Sequence, residues 1–441
     1  MIQVSGRRSD LLQRIGRIDT LSATGRVSQV VGIVMEGSST LSAVGEICEV
    51  RSTTQPGLSI LAEVVGFRGD KVLLMPLGDL AGIGPRSAIV PQESEGTCVV
   101  GDELLGRVID GMGCSLDGKG PIRARQVRPL RSAPANPLER KRITQPLDLG
   151  IRAINGLLTC GKGQRMGVFS GSGVGKSVLM GMIARYTTAD VNVIALIGER
   201  GREVKEFIES DLKEEGLRRS VVIVSTSDQP PLVRRRGAFL AMTIAEYFRD
   251  QGAHALFMMD SLTRLAHAQR EIGLAVGEPP TTKGYTPSVF SMLPKFLERA
   301  GTSGNGGTIT GIFTVLVEGD DMNDPIPDAA RAILDGHVSL SRELASQGQY
   351  PAVDFLASTS RVMINVVDAK HLAASRKIAE IMSTYKKVED MINIGAYKTG
   401  TSKKIDYAIS KWDAICAYFK QGIGEQANLQ ESLSALQRLV V

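Results

Sequence analysis

A lysine and a serine directly behind three closely spaced glycines, with two carboxylates farther on at the ends of apolar runs, are residue types that can bind and cleave a nucleotide phosphate. The stretch VFSGSGVGKSVLM, Val168 to Met180, sets Gly171, Gly173 and Gly175 ahead of Lys176 and Ser177. Glycines at that spacing let the backbone curl. The N–H groups from Gly171 through Ser172, Gly173, Val174 and Gly175 then point inward at phosphate oxygens, and a helix opening through Val178 adds its dipole. Lys176 would reach the β- and γ-phosphates of ATP, and the Ser177 hydroxyl would ligate Mg²⁺. The strict pattern asks for glycine at its first position, where this chain has Ser170. That position lies at a strand end, where a small residue serves as well. A purely structural turn would need all these residues to meet at a strand-to-helix junction by chance.

The same chemistry needs a second strand ending in an acid that holds the metal's water shell. HALFMMD supplies it in Asp260, at the carboxyl end where open α/β sheets gather their ligands. Taken alone, Asp260 is as often a cap for the helix SLTRLAHAQREIG. Hydrolysis also needs a group that orients water. VIALIGERGREV presents Glu199 and Arg200 after another strand. Spacing alone leaves this pair open between a catalytic role and a surface salt bridge.

These residues need a scaffold, and its outline is visible in the hydrophobic pattern. RMGVFS, VNVIALIG, SVVIVST, ALFMMD and GTITGIFTVLV alternate with helical segments, which predicts a mostly parallel sheet covered on both faces. Before it, short β-branched runs predict a small β-barrel, with a hairpin around Arg68-Gly69-Asp70. After Val367 the strands stop. Ile378, Ile381, Met382, Tyr385, Val388 and Ile392 keep helical spacing there. The fold class is therefore α/β: an N-terminal barrel over 23–92, a P-loop nucleotide-binding domain over 93–367 with a proline-rich connector at 121–146, and a helical domain over 368–441. Residues 1–22 form a further segment, in which Leu11, Leu12, Ile15 and Ile18 could share one face of a short helix.

Composition narrows the classes. The chain has 441 residues, 43% of them hydrophobic, which suits two or three domains with large cores. The net charge of +5 is spread along the chain and marks no nucleic-acid surface. Five dispersed cysteines without a C-x-x-C argue against a disulfide framework and a zinc site, and favour a reducing compartment. The first twenty residues lack a signal-peptide core, and no run of 18 apolar residues occurs, so a cytoplasmic location is expected.

GSGVGKS, LIGERGREV, FMMDSLTRLA and YPAVDFLASTSRV occur in an order similar to the catalytic β subunit of rotary ATP synthases, a likeness running from about residue 25 to about 420. The resemblance implies a RecA-like core in which Lys176 and Ser177 bind phosphate and Mg²⁺ and Asp260 is the second-strand carboxylate. It implies that Glu199 polarises the attacking water, with Arg200 near the phosphates, and that Arg361 is an arginine finger reaching into the neighbouring subunit's site. Tyr350 resembles the aromatic that packs on adenine; the alternative is a buried core tyrosine.

Two departures refine this. The synthase subunit's acidic lever segment is replaced by NIGAYKTGTSKKIDYA. In addition, VLVEGDDMNDPIPDAARAILDGHVSLSRELA and GYTPSVFSMLPKFLERAG closely resemble the ATPases of flagellar and injectisome type III protein export, the flagellar group fitting better. That family implies a homohexamer with sites shared between neighbours. It also implies a central stalk protein, a regulatory or stator-like protein at the N-terminus, export-gate membrane proteins, substrate–chaperone complexes, and peripheral association with the inner membrane. No nucleic-acid partner is expected. The loop GEPPTTKGY, Glu278 to Tyr285, either faces the central channel or is a plain surface loop. Two other readings compete with the export ATPase. One is an ion-coupled ATP synthase subunit. The other is an RNA translocase related to the transcription terminator Rho, which the 5% aromatic content and aliphatic barrel region disfavour.

Overall fold

The computed structural model describes residues 24–38, 43–92, 96–304 and 306–440. The N-terminal segment with Leu11, Leu12, Ile15 and Ile18 lies outside the described residues. Two compact units divide the chain, Met1–Gly96 and Thr97–Val441.

In the first unit, β1 (Gly25–Val31), β2 (Val34–Ser38), β3 (Ile47–Arg51), β4 (Ser59–Arg68), β5 (Lys71–Pro76) and β6 (Ala88–Pro91) close into an antiparallel barrel in the order β1-β2-β5-β4-β3-β6. Alternate side chains point inward, and Val27, Met35, Val50, Val64, Leu74 and Ile89 fill the interior. The expected hairpin is present: Arg68 pairs with Lys71 across Gly69 and Asp70. A register shift between Val64 and Gly66 bends β4 so that the sheet can curl and close.

The second unit opens with β7 (Thr97–Val100), β8 (Arg107–Asp110), β9 (Gln126–Pro129), β10 (Pro146–Leu147) and β11 (Cys160–Gly161). Its main strands follow: β12 (Arg165–Ser170), β13 (Val191–Ile197), β14 (Ser220–Ser225), β15 (His254–Asp260), the short β16 (Gly301–Thr302), β17 (Thr308–Leu316), β18 (Gly336–Leu340) and β19 (Val353–Ser360). The central sheet runs β19-β18-β12-β17-β15-β13-β14-β8, with β16 paired to β17. It is parallel except at β19 and β16. Four of its members, β8, β16, β18 and β19, are strands that the apolar-run pattern did not single out.

A parallel strand buried on both faces reads as a continuous apolar run, and β13 shows how it is divided. Ile194 and Leu196 belong to one cluster, with α1 (Lys176–Tyr186) contributing Leu179, Met180 and Ile183. Val193, Ala195 and Ile197 belong to the other, with residues of α3 (Pro231–Asp250), α4 (Leu262–Val276) and α5 (Pro287–Leu297). Between them in sequence, the short α2 (Gly201–Glu206) follows β13. The helical C-terminal region, α6 (Ala369–Lys386), α7 (Lys403–Phe419) and α8 (Leu429–Val440), adds Ile378, Ile381, Ile415 and Leu436 to the first cluster. The proline-rich stretch is stitched to this unit: β9 pairs with β7, Arg299 donates to the Leu130 carbonyl at 2.8 Å, and Arg140 donates to the Ala300 carbonyl at 2.9 Å.

Candidate functional site

The glycine-rich loop leaves β12 at Ser170 and enters α1 at Lys176. Gly173 and Gly175 have φ of +79° and +85°, a left-handed backbone in which a side chain would be strained. Ser170 is still in strand conformation, and its carbonyl accepts from the Val317 N–H at 3.0 Å. Glycine is therefore dispensable at that first position. Gly171 is buried, and Val174 is buried in the core beneath the loop, so both offer a ligand only backbone N–H groups. Ser172, Gly173 and Ser177 are exposed, while Val178 packs partly against the core.

Three strands bring three charges together. Lys176 Nζ bonds Asp260 Oδ1 and lies 3.8 Å from Glu199 Oε1. All three side chains are largely shielded from solvent. Asp260 ends β15, and Glu199 stands two residues beyond the end of β13, its neighbour in the sheet. Asp260 does not cap α4; that task falls to Ser261, whose hydroxyl accepts from the Arg264 N–H at 3.3 Å.

One cation between two carboxylates leaves Glu199 hard to ionise. Burial, then the charge of Asp260, pushes its pKa up to about 7, although Lys176 pulls the other way. The nearby Glu203 carboxyl raises it further and is itself held below the ordinary range by a hydrogen bond with Glu199. Glu199 Oε1 is buried without a hydrogen-bond partner. A buried carboxyl poised near neutrality is what a group that orients and deprotonates water requires.

Arg200 is not drawn into this cluster. At the start of α2 its side chain is 78% exposed and lies 3.7 Å from Glu203 Oε1. Tyr350 is 48% exposed, so the core-tyrosine alternative fails. Its ring lies over the loop: a Cβ placed on Gly175 would sit 3.4 Å from Tyr350 Cδ1 and Cε1.

Arg361 is exposed just past the end of β19. Because β19 runs antiparallel, Ser360 pairs with Gly336 at the start of β18, while Leu340 lies beside Ser170. The Arg361 N–H donates to the Asp335 carbonyl at 2.9 Å, and the Asp335 carboxylate binds Arg165 at the start of β12. Arg361 thus stands at the far end of the sheet from its own loop, roughly 16 Å away along the strand.

Sequence reasoning passed over three residues here. Glu203 tunes Glu199. Thr314 on β17 donates to Asp260 Oδ1 at 2.7 Å. Arg264, within the quoted FMMDSLTRLA, packs its stem where a Cβ on Gly198 would fall, with a buried, unpartnered Nε. Its place one turn into α4, behind a strand-end aspartate, was the available signal.

The central region, residues 150–360, matches the nucleotide-binding domain of the ATP synthase alpha/beta family. Residues 27–92 match that family's beta-barrel domain, and residues 367–438 match the T3SS EscN ATPase C-terminal domain. The "Flagellum-specific ATP synthase" of Bacillus subtilis is 52% identical, covering 98% of this chain and 99% of the relative. The assembled ATPase EscN from the type III secretion system of enteropathogenic E. coli superposes with a TM-score of 0.88 at 44% identity, covering 95% of this chain and 100% of the EscN chain in that structure. EscN in complex with its central stalk EscO gives 0.87 at 44% identity, with the same coverage.

Proposed function

The chain belongs to the ATP synthase alpha/beta family, among its type III export ATPases, and from that premise we propose how its residues energise the export of flagellar proteins. It is an ATPase, and the flagellar assignment rests on 52% identity across nearly the whole length of both chains. The C-terminal match to the EscN-type domain favours export over ion-coupled synthesis.

The observation that carries the mechanism is the meeting of Lys176, Glu199 and Asp260 at the carboxyl edge of the central sheet, where β12, β13 and β15 end. Lys176, with the N–H groups from Gly171 to Ser177, neutralises the phosphate charge of ATP and fixes its geometry. The donors present are hard oxygens, a hydroxyl and carboxylates, which suit Mg²⁺. Among the described residues no cluster of three His, Cys, Asp or Glu could cage a metal. Mg²⁺ takes few protein ligands and otherwise uses phosphate oxygens and water, so Ser177 and the water shell held by Asp260 suffice. When bound, Mg²⁺ supplies charge neutralisation at the transferring phosphoryl group. Glu199 orients the attacking water and accepts its proton. Tyr350 stacks on adenine, and Arg200 approaches the phosphates from the exposed mouth.

Arg361 serves the neighbouring subunit, because its place on the sheet removes it from its own loop. One chain carrying both the glutamate and the finger can build every interface of a homohexameric ring. A stalk partner is supported by EscN in complex with EscO, and the exposed tip of the Glu278–Tyr285 loop suits a channel lining. The regulatory partner at the N-terminus, the export gate, the substrate–chaperone complexes and a peripheral place at the inner membrane belong to the same reading. No helix among the described residues is long and apolar enough to cross a membrane.

Glu199→Gln tests the mechanism. The amide keeps the shape and loses the base, so nucleotide binding should persist while kcat falls by about 10²–10⁴. A variant that no longer binds ATP would make Glu199 a structural residue.

A further inference from the structure

We propose that Thr314 is a positioning residue for the metal-handling carboxylate, holding Asp260 through its hydroxyl so that one oxygen stays available to metal-bound water. The inference rests on the reading of Asp260 as the holder of that water shell. β17 lies between the strand of the phosphate loop and the strand of Asp260, with Thr314 level with Val168 and Phe313 level with Met259. Thr314 is fully buried, between Phe313 and Val315 in an otherwise apolar part of the strand.

Packing alone does not call for threonine here. Valine has nearly the same shape and suits a strand buried on both faces. A buried hydroxyl also costs about 1–3 kcal/mol if it lacks a partner, so what it binds is informative. Thr314 Oγ1 donates to Asp260 Oδ1 at 2.7 Å. Lys176 Nζ donates to the same oxygen. Among the described residues no hydrogen bond reaches Asp260 Oδ2. Two donors converging on Oδ1 fix the rotation of the carboxylate and leave Oδ2 as its accepting oxygen. The lysine can exchange Asp260 for phosphate when a nucleotide binds. Thr314 cannot, because its backbone is locked between two strands. The threonine bond therefore keeps the carboxylate aimed through the cycle.

Binding of a fluorescent ADP to the purified full chain, with Mg²⁺ and with chelator, tests this apart from hydrolysis. Thr314→Val should reduce the Mg²⁺-dependent gain in affinity by about tenfold, the weight of one hydrogen bond to a charged group, with metal-free binding unchanged. Thr314→Ser, which keeps the hydroxyl, should restore most of the gain. Thr314→Val with a parental Mg²⁺ gain would overturn the proposal, as would equal losses with and without metal in both variants. Asp260→Asn separates the two ideas. If it too keeps the Mg²⁺ gain, the assignment of Asp260 fails. If it loses the gain while Thr314→Val keeps it, only the role of Thr314 fails.

Discussion

Glu199 carries the most informative charge in the molecule, because burial and Asp260 together oppose its ionisation and raise its pKa to about 7. On the proposed mechanism hydrolysis needs the Glu199 carboxylate, so kcat/KM, which reports the free enzyme, should fall as pH drops through about 7. Glu203→Gln removes one of the charges that raises Glu199 and should move this acid limb to lower pH; an unmoved limb would mean that another group sets it. Stability runs the opposite way. A carboxyl whose folded pKa lies above its ordinary value favours the folded state below that ordinary value, and the benefit is lost as pH rises through about 7. Glu199→Gln never ionises and escapes the loss. It should be more stable than the parent at pH 8 by about 1–3 kcal/mol, with a smaller difference at pH 5, in chemical denaturation.

Among the elements, the end of α5 is tied to α3 by a buried ion pair. Arg299 donates from Nε and Nη2 to the two carboxylate oxygens of Glu246 at 2.8 and 2.6 Å, and from Nη2 to Thr243 Oγ1 at 2.9 Å. Its remaining nitrogen reaches the Leu130 carbonyl of the proline-rich stretch. Removing one member strands a buried charge, so Glu246→Ala should cost about 3–5 kcal/mol. An apolar pair of similar volume, Arg299→Met with Glu246→Leu, should recover much of that loss, because it removes both desolvation penalties together. Urea titrations of the single and double variants measure the difference; a single variant as stable as the parent would show that water reaches the stranded charge.

The whole assembly is tested through Arg361. On the proposed mechanism Lys176→Ala lacks the phosphate-binding lysine and Arg361→Ala lacks the finger, so each should be inactive alone. In a mixed ring, some interfaces join an intact loop from one variant to an intact finger from the other. Equal mixing should restore about a quarter of the interfaces, and ATPase activity should rise toward a maximum near the equal ratio. Zero activity at every ratio, with subunit exchange confirmed independently, would end the shared-site model.

Local sequence was enough for the phosphate loop, the five apolar-run strands β12, β13, β14, β15 and β17, the barrel hairpin and the C-terminal helices. Each is written in neighbouring residues: glycines where φ is positive, apolar runs where both faces are buried, a 3.6-residue spacing where one helix face packs. Those signals act over a few residues, so they survive without knowledge of the rest of the chain. What they could not contain is who meets whom across the sheet. Thr314 reaches Asp260 only because β17 inserts beside β15, and Tyr350 covers Gly175 from a loop far along the chain. The reversal of β19 carries Arg361 to the end of the sheet away from its own phosphate loop. Prolines and arginines between 121 and 146 looked like a connector, and long-range bonds from Arg299 and from Arg140 itself bind them to the nucleotide unit. Strand order and strand direction are properties of the closed sheet, settled by burial of all its strands together, so these contacts belong to the tertiary structure alone.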